Sequence, residues 1–350
     1  MRRLTAVVVA KCRKGEADVD HPYLFMNMDQ SIRTRAHPNC FLCGTTGEVL
    51  YAKLTDRLFH APGVWQLRRC PQAKCGLLWL DPVPIKDDLP LVYQNYFTHG
   101  PRSFAVRGVG RSLVHGLYRG VLLATGLARQ RADLLSFYLR DAGPGRLLDV
   151  GCGDGGQLAR LRAMGWQVEG QEIDPAAAEQ ARTQYGLQVH VGPLADLGLP
   201  DSAFDIVTMS HVIEHIYDPV SLLKECRRIL KPGGRVVVVT PNVKSCGHER
   251  FRSNWMPLEP PRHLHMFSPT TLREVARRAG YAEQECWTTA ANAQFLAESS
   301  LNIERTGRHT VGSRPGLSLG FQTLVFQFWA MALHAARKDS GDECVLRAKK

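Results

Sequence analysis

Two short histidine-containing segments hold the side chains of this chain that are best suited to proton transfer. His211 and His215 lie in HVIEH, and His263 and His265 lie in RHLH, directly after Pro261. The pKa of histidine is close to neutral, so an imidazole can take a proton from an acceptor hydroxyl at physiological pH. We predict His211 as the general base and His215 and His263 as further catalytic candidates.

Arg262 and His265 are predicted to bind the substrate, because their segment precedes a helix start at Ser268-Pro269 and should form a loop at the mouth of the site. A guanidinium suits a carboxylate or a phosphate. The alternative is an arginine that pairs with a nearby acid of the protein itself.

The order His-x-x-Glu-His also occurs as an inverted zinc-protease signature, which needs a helix that bears both histidines. Here the segment follows an apolar strand and ends at Tyr217-Asp218-Pro219, so only a short helical turn fits. We therefore set the protease interpretation aside. Glu214 and His215 could instead fix the loop through hydrogen bonds, and for His215 this alternative stays open.

Four cysteines near the start of the chain have the spacing of metal ligands. The chain contains Cys40-x2-Cys43-Gly and Cys70-x4-Cys75-Gly, and 26 residues separate Cys43 from Cys70. Two cysteine pairs on tight turns are typical of a zinc ribbon, and four thiolates complete a tetrahedral Zn²⁺ site with no open position. The spacing predicts a structural zinc ion; four buried cysteines or a redox pair are the alternatives.

A glycine-rich loop predicts a cofactor site. The apolar segment that ends at Asp149-Val150 runs into GCGDGG, and the following strand ends at Glu172. A carboxylate at Asp154 disfavours a diphosphate, so a cationic cofactor that carries an amino acid fits better. Glu172 can accept hydrogen bonds from both hydroxyls of a ribose. Asp174, before Pro175, is predicted only to cap the next helix.

Five motifs follow one another in this chain, behind a cysteine-rich segment that ends GLLWLDPVP and a segment VYQNYF: LLDVGCGDGG, VEGQEIDP, FDIVTMSHVIEH, ILKPGGRVVVVTPN and PRHLHMFSP. In this order they resemble the class I S-adenosylmethionine-dependent methyltransferases. The chain is similar to the branch with an N-terminal zinc-binding region, whose catalytic domain is close to the ubiquinone-pathway O-methyltransferases. The resemblance covers roughly residues 39–287 and the last strand.

The resemblance implies S-adenosyl-L-methionine as the cofactor. Asp149 and the glycines would hold the methionine part of this cofactor. Glu172 would bind its ribose. Ile173 and the loop that begins at Leu194 would contact its adenine. The residues it assigns to the cofactor are Asp149, Gly151, Cys152, Gly153, Glu172, Ile173, Leu194, Ala195 and Ser210. The related enzymes carry Glu-x-x-Glu-His and use a divalent cation. Here His211 replaces the first glutamate, which counts against a hard Mg²⁺-type site.

Strands and helices alternate from residue 146 onward, which indicates right-handed βαβ crossovers. We predict an α/β fold with a doubly wound, seven-stranded, mostly parallel sheet, a small N-terminal zinc ribbon and a helical insertion before the last strand. The predicted segments are an extension (1–36), the ribbon (37–85), a helical Arg-rich linker or lid (86–140), the methyltransferase core (141–291), the insertion (292–338) and the last strand (339–350).

The charge balance favours an anionic partner: 44 Lys and Arg against 33 Asp and Glu give a net charge of +11. The Arg-rich linker and the apolar insertion together suggest a large, amphiphilic or lipid-linked acceptor and peripheral contact with a membrane. RNA methylation is the alternative that the charge supports. We find no run of Lys and Arg interleaved with aromatic residues, so we expect no nucleic-acid partner.

The first residues lack a signal-peptide cleavage site and no segment is a convincing membrane span, so we expect a cytoplasmic protein. Together these features predict methyl transfer from S-adenosylmethionine to a hydroxyl of a small molecule or glycan. An RNA methyltransferase and a non-catalytic S-adenosylmethionine-binding module are the alternatives.

Overall fold

The structure is a computed structural model that describes residues 31–94, 96, 125–313 and 315–350. Almost all of the described residues belong to one compact unit, Ile32–Lys350. The predicted extension therefore lies almost wholly outside the described residues, and so does the middle of the predicted Arg-rich linker, residues 97–124.

The described strands, in chain order, are β1 (Thr34–Arg35), β2 (Glu48–Leu54), β3 (Trp65–Arg69), β4 (Leu78–Leu80), β5 (Val83–Pro84), β6 (Arg146–Val150), β7 (Gln167–Glu172), β8 (Val189–Val191), β9 (Phe204–Ser210), β10 (Leu230–Pro241), β11 (His265–Met266), β12 (Glu283–Thr289) and β13 (Glu343–Lys349). The described α-helices are α1 (Leu89–Tyr93), α2 (Leu127–Leu135), α3 (Gly156–Ala163), α4 (Pro175–Tyr185), α5 (Pro219–Ile229), α6 (Cys246–Phe251), α7 (Pro269–Arg278), α8 (Ala293–Thr306) and α9 (Leu317–Ala336).

A seven-stranded sheet with the order β12-β13-β10-β9-β6-β7-β8 forms the centre of the fold. Strands β6 to β10 are parallel, and β13 runs antiparallel to both β10 and β12. This confirms the predicted doubly wound, mostly parallel sheet. The pairing of β6 with β9 sets Asp149 opposite Thr208, and it brings the carboxyl ends of the parallel strands to one edge.

Helices cover both faces of this sheet. Leu147 and Ile206 belong to one apolar cluster with side chains of α3 and α4, whereas Leu148 and Val207 belong to another with side chains of α5 and α7. Neighbouring residues of a strand point to opposite faces, so the continuous apolar run before the glycine loop fills both halves of the core.

The cysteine-rich segment forms a four-stranded antiparallel sheet with the order β11-β4-β3-β2. Its edge strand β11 comes from the predicted methyltransferase core, and it pairs His265 with Trp79 of β4. Trp79 is buried and donates a hydrogen bond from Nε1 to the carbonyl of His37 at 2.7 Å. This sheet therefore includes a strand from beyond the boundary predicted at residue 85 between the ribbon and the rest of the chain.

Helices α8 and α9 form the predicted insertion before the last strand. The inner side of α9 is buried through Leu319, Thr323 and Ala330. Between them, Gln327 accepts a hydrogen bond from the backbone N–H of Gln294 at 2.9 Å and donates one to the carbonyl of Ala290 at 2.7 Å. These contacts fix which side of α9 faces the protein.

Candidate active site

The glycine loop lies at the carboxyl end of β6. Gly151 and Gly153 have φ values of +71° and +55°, a left-handed conformation that favours glycine. A Cβ on Gly151 would clash with Cγ2 of Val212, whereas a Cβ on Gly153 would meet no heavy atom within 4 Å. The first glycine is thus required by packing, and the second borders an open space in which a ligand can approach the backbone.

Glu172, at the end of β7, lies against this loop. Its Oε2 accepts a hydrogen bond from the backbone N–H of Gly153 at 2.8 Å, and its Oε1 accepts from Ile173 at 2.8 Å and Asp174 at 3.0 Å. The carboxylate is buried and fixed by three backbone donors. A carboxylate accepts about four hydrogen bonds, so an acceptor position remains for a ribose hydroxyl.

Asp149 is buried beneath the loop, where its Oδ1 accepts a hydrogen bond from the hydroxyl of Thr208 at 2.7 Å. Burial raises the pKa of Asp149 to about 7; the Thr208 hydrogen bond opposes this shift and the negative charge of Glu172 adds to it. A positive charge placed beside Asp149 would favour its ionised form. This carboxylate therefore suits a cationic ligand.

The other residues predicted to bind the cofactor surround this site in different ways. Ile173 is 65% exposed, and Ala195 is also exposed. Leu194 and Cys152 are buried, so only their backbone can face a ligand. Ser210 is half-buried at the end of β9. Asp174 accepts a hydrogen bond from the N–H of Ala176, which confirms its predicted role as the cap of α4.

His211 follows β9 with a φ of +55°, and carboxylates flank both nitrogens of its ring. Nδ1 lies 3.2 Å from Oε1 of Glu214, and Nε2 lies 2.9 Å from Oε1 of Glu343. The ring is 43% exposed, and its partial burial opposes protonation, but the hydrogen bonds to the two glutamates outweigh this effect and raise the pKa of His211 to about 10. Burial likewise opposes ionisation of Glu214, but His211 lowers the pKa of this carboxyl to about 2.

This geometry does not fit the predicted role of His211 as the general base. An imidazolium with a pKa of about 10 already holds its proton near pH 7, and each of its N–H groups has a carboxylate partner. His211 instead fixes the loop after β9. Through Glu343 it also connects this loop to β13 and to Asn292, whose Nδ2 lies 3.2 Å from both carboxylate oxygens.

His215 and His263 lie next to each other, with ring centroids 4.6 Å apart. Burial, together with the neighbouring His263, lowers the pKa of His215 to about 4, so this ring is neutral near pH 7. Its Nδ1 lies 3.0 Å from the hydroxyl of Tyr93. The Nδ1 of His263 lies 2.6 Å from the carbonyl of Pro257, to which it donates its hydrogen.

One ligand atom from each of Glu214, His215 and His263 lies within 4.8 Å of the other two. Two imidazoles and one carboxylate, with an outer partner on one nitrogen of each ring, form a donor set that suits a divalent transition metal. The structure therefore assembles a candidate metal group that includes His263 and leaves out His211. Because Nδ1 of His215 faces Tyr93, its Nε2 can serve either as a metal ligand or as a base, but not as both at once.

Arg262 is not at the mouth of the site, as predicted, but is buried. Its guanidinium donates two hydrogen bonds to Asp56, at 2.8 and 2.7 Å, and one to Glu259 at 2.8 Å. It also lies 4.6 Å from the ring centroid of Phe59. The alternative of an arginine paired with nearby acids is correct, and this pairing connects the β2–β3 loop with the segment before β11.

His265 is also buried, which contradicts its predicted contact with substrate. Its Nδ1 lies 3.2 Å from the carbonyl of Ile216, and its ring packs edge-on against Phe41 at 4.6 Å. Burial, with a contribution from His37, lowers the pKa of His265 to about 3, so the ring is neutral. His265 and His263 alternate in one extended segment, and only His263 reaches the His215 cluster.

The four predicted zinc ligands come together between the two turns of the ribbon. Their sulfur atoms lie within 4.8 Å of one another, with Sγ–Sγ distances of 3.7 Å for Cys40 and Cys75 and 3.4 Å for Cys43 and Cys70. In a tetrahedral Zn²⁺ site with Zn–S bonds of about 2.3 Å, the sulfurs are about 3.8 Å apart. All four are free thiols in the structure, and their arrangement fits a zinc ion.

Sequence reasoning missed Glu343 and Tyr93, which contact histidines from distant parts of the chain, and Glu259, which lies only four residues before His263. Glu343 opens the last strand and stands outside every motif, whereas Tyr93 ends α1. Tyr93 does lie in the segment VYQNYF that accompanies the resemblance, and this was the available signal.

Residues 123–285 match a family model described as a methyltransferase domain. A probable S-adenosylmethionine-dependent methyltransferase of Mycolicibacterium smegmatis is 32% identical over 140 residues, which cover 40% of this chain and 52% of the relative. A ubiquinone biosynthesis O-methyltransferase of Cereibacter sphaeroides is 34% identical over 146 residues, 39% of this chain and 59% of the relative. The chain thus spans about half the length of these curated relatives.

Among solved structures, a possible histamine N-methyltransferase of Thermotoga maritima is similar with a TM-score of 0.44 and 23% identity, over 67% of this chain and 96% of that chain. The family match begins before β6 and ends within β12, and it includes the glycine loop, Glu172 and the histidines after β9 and before β11. The chain thus carries a methyltransferase domain, and this part of it is similar in sequence to S-adenosylmethionine-dependent methyltransferases.

Proposed function

We propose that the protein binds S-adenosyl-L-methionine at the carboxyl ends of β6, β7 and β9 and transfers its methyl group to a small-molecule, glycan or lipid-linked acceptor. The observation that carries this proposal is the pairing of Gly153 with Glu172. A buried carboxylate, fixed by the N–H of Gly153, borders the space that is open above this glycine. Such a cleft can admit a ligand between the carboxylate of Glu172, which would bind a sugar, and the backbone of Gly153.

The proposed roles follow from the position of each group. Glu172 would accept a hydrogen bond from the ribose, the exposed Ile173 would cover the adenine, and Asp149 would face the positive charge of the ligand. When bound, S-adenosylmethionine supplies an activated methyl group, so the protein has to align the acceptor and remove its proton.

A hydroxyl is the proposed acceptor group, with His215 as the base. Of the three histidines predicted as catalytic, His211 is protonated near pH 7 and His263 is almost fully buried. His215 is neutral and only partly buried, so its ring can accept a hydrogen bond from the acceptor hydroxyl. Because its pKa is about 4, it would take up the proton only while the methyl group is being transferred, when the hydroxyl becomes strongly acidic. The Tyr93 hydroxyl, 3.0 Å from Nδ1, would orient the ring so that Nε2 can face the acceptor.

We also propose that Cys40, Cys43, Cys70 and Cys75 bind a structural Zn²⁺. The fit of the sulfur–sulfur distances supports this, and four thiolates leave no position for a substrate. The metal would hold the two cysteine-bearing turns of the ribbon together. The ribbon sheet includes β11, which directly follows the segment that carries His263.

Methyl transfer can be tested with S-adenosylmethionine that carries a labelled methyl group, added with the full-length protein to separate small-molecule, glycan, lipid and RNA fractions. We expect label in one of the first three fractions. His215→Gln should remove most of this transfer, whereas His60→Asn at an exposed position should not. Label in RNA alone would contradict the proposed acceptor class, and cofactor binding without any transfer would indicate a non-catalytic binding module.

A further inference from the structure

Helix α9 exposes a stripe of large apolar side chains. Leu317 is 97% exposed, Phe321 68%, Val325 53% and Trp329 42%. These residues repeat every four positions, so they form a stripe that winds slowly around a helix of 3.6 residues per turn. Phe295 of the packed helix α8 is also 53% exposed. Single exposed apolar residues are common, but an aligned series of this kind marks an interaction surface.

The stripe cannot turn inward to become buried. The opposite side of α9 is fixed by Leu319, Thr323 and Ala330 in the interior and by the two backbone hydrogen bonds of Gln327. Moreover, the 20 residues of α9 include no Asp, Glu, Lys or Arg. An exposed helix face that carries large apolar side chains and no charged ones is poorly solvated by water.

Basic residues flank the stripe at both ends of α9. Residues 293–338 contain five basic side chains and two acidic ones, a local charge of +3: Arg305, Arg308, Arg314, Arg337 and Lys338 against Glu298 and Glu304. Arg305 donates a hydrogen bond to the side chain of Gln322, next to Phe321. Glu304 is paired with Arg250, and Arg337 with Glu249.

We propose that this face of α9 docks on an anionic membrane surface, with the helix parallel to the bilayer. Apolar side chains would enter the boundary between headgroups and acyl chains, and the flanking arginines would meet anionic headgroups. Charge selects this occupant over a second copy of the chain, because two positively charged faces would repel each other. Within the residues described here, no helix is long and apolar enough to cross a membrane.

The proposed membrane contact does not depend on methyl transfer, so an experiment can refute either proposal without refuting the other. The test is flotation of the full-length protein with phosphatidylcholine vesicles and with vesicles that also contain phosphatidylglycerol. We expect binding to the anionic vesicles and weakening at high salt, since screening reduces surface attraction. The double variant Phe321→Ser with Trp329→Ser should bind roughly tenfold or more weakly, because it removes most of the aromatic area that would enter the bilayer.

Val64→Ser is the matched control, because Val64 is 66% exposed but lies in the ribbon region. Unchanged thermal unfolding of all variants shows that the fold is retained. No flotation with anionic vesicles, or equal flotation of the double variant, would overturn the proposal. A dimer that sedimentation detects and the double variant loses, without vesicle binding, would assign the face to a second copy instead.

Discussion

The Nε2 atom of His211 lies 2.9 Å from Oε1 of Glu343, although the two residues are 132 positions apart. Glu343 opens β13 and also contacts Asn292 before α8. Through this pair, the loop after β9 is fixed by the last strand and by the helical insertion. The predicted insertion is thus connected to the edge of the sheet at which the cofactor would bind.

The first prediction concerns the protonation of His211. Two carboxylates raise its pKa to about 10, so a histidine-selective NMR titration should show a midpoint far above neutrality. Glu343→Gln removes one of the two charges and should lower this midpoint. Glu283→Gln, at the exposed start of β12, is the control and should leave it unchanged. A wild-type midpoint near 6.5 would contradict the geometry.

The same pair predicts how stability depends on pH. The pKa of His211 is raised in the folded protein, so its stabilisation is fully present below about pH 6.5 and is lost as the pH rises through about 10. The pKa of Glu214 is lowered, so its contribution is present above its ordinary value and is lost as the pH falls towards about 2. Urea unfolding across this range should show a smaller alkaline dependence for Glu343→Gln than for the wild type, because Glu214 still pairs with His211 in the variant.

Arg262 should matter for stability more than for substrate affinity. Arg262→Gln leaves Asp56 and Glu259 buried without their cation, and breaking such a pair typically costs about 3–5 kcal/mol. Urea unfolding measures this loss. Arg273→Gln, on the exposed side of α7, should stay within about 0.5 kcal/mol of the wild type. An Arg262→Gln protein of normal stability with a raised KM would restore the predicted substrate role.

Zinc removal should unfold the ribbon sheet. The purified protein should contain zinc by elemental analysis, and chelation or Cys40→Ser should lower its thermal unfolding temperature. Because β11 belongs to the same sheet, we expect the NMR signal of His263 to change as well. Cys286→Ser, outside the cluster, should keep the metal. A protein without zinc that is indifferent to chelators would refute the proposed site.

The sequence predicts best what depends on local pattern. The strand before the glycine loop, the cap at Asp174 and the four-cysteine group follow from apolar runs, helix-start chemistry and ligand spacing. The roles of Arg262 and His265 could not be predicted in the same way. Their burial depends on Asp56 and Trp79, partners from the ribbon segment that no local pattern connects to them.

The protonation state of His211 likewise depends on a partner that local sequence pattern does not reveal. Its position at the end of β9 follows from the motif, but its protonation state depends on Glu343 in the last strand. An isolated imidazole next to the cofactor would be a reasonable base, whereas an imidazole between two carboxylates is not. The sequence could not reveal this charge, because Glu343 comes from a distant part of the chain.

Cofactor binding through Glu172 is the central claim, and isothermal titration of S-adenosylmethionine into the apo protein tests it most directly. Glu172→Gln removes a charged hydrogen-bond acceptor and should weaken binding about tenfold or more. Glu169→Gln, on the same strand and paired with Arg146, should bind like the wild type. Equal affinity of the Glu172 variant and the wild type, or no binding by the wild type at all, would contradict the account.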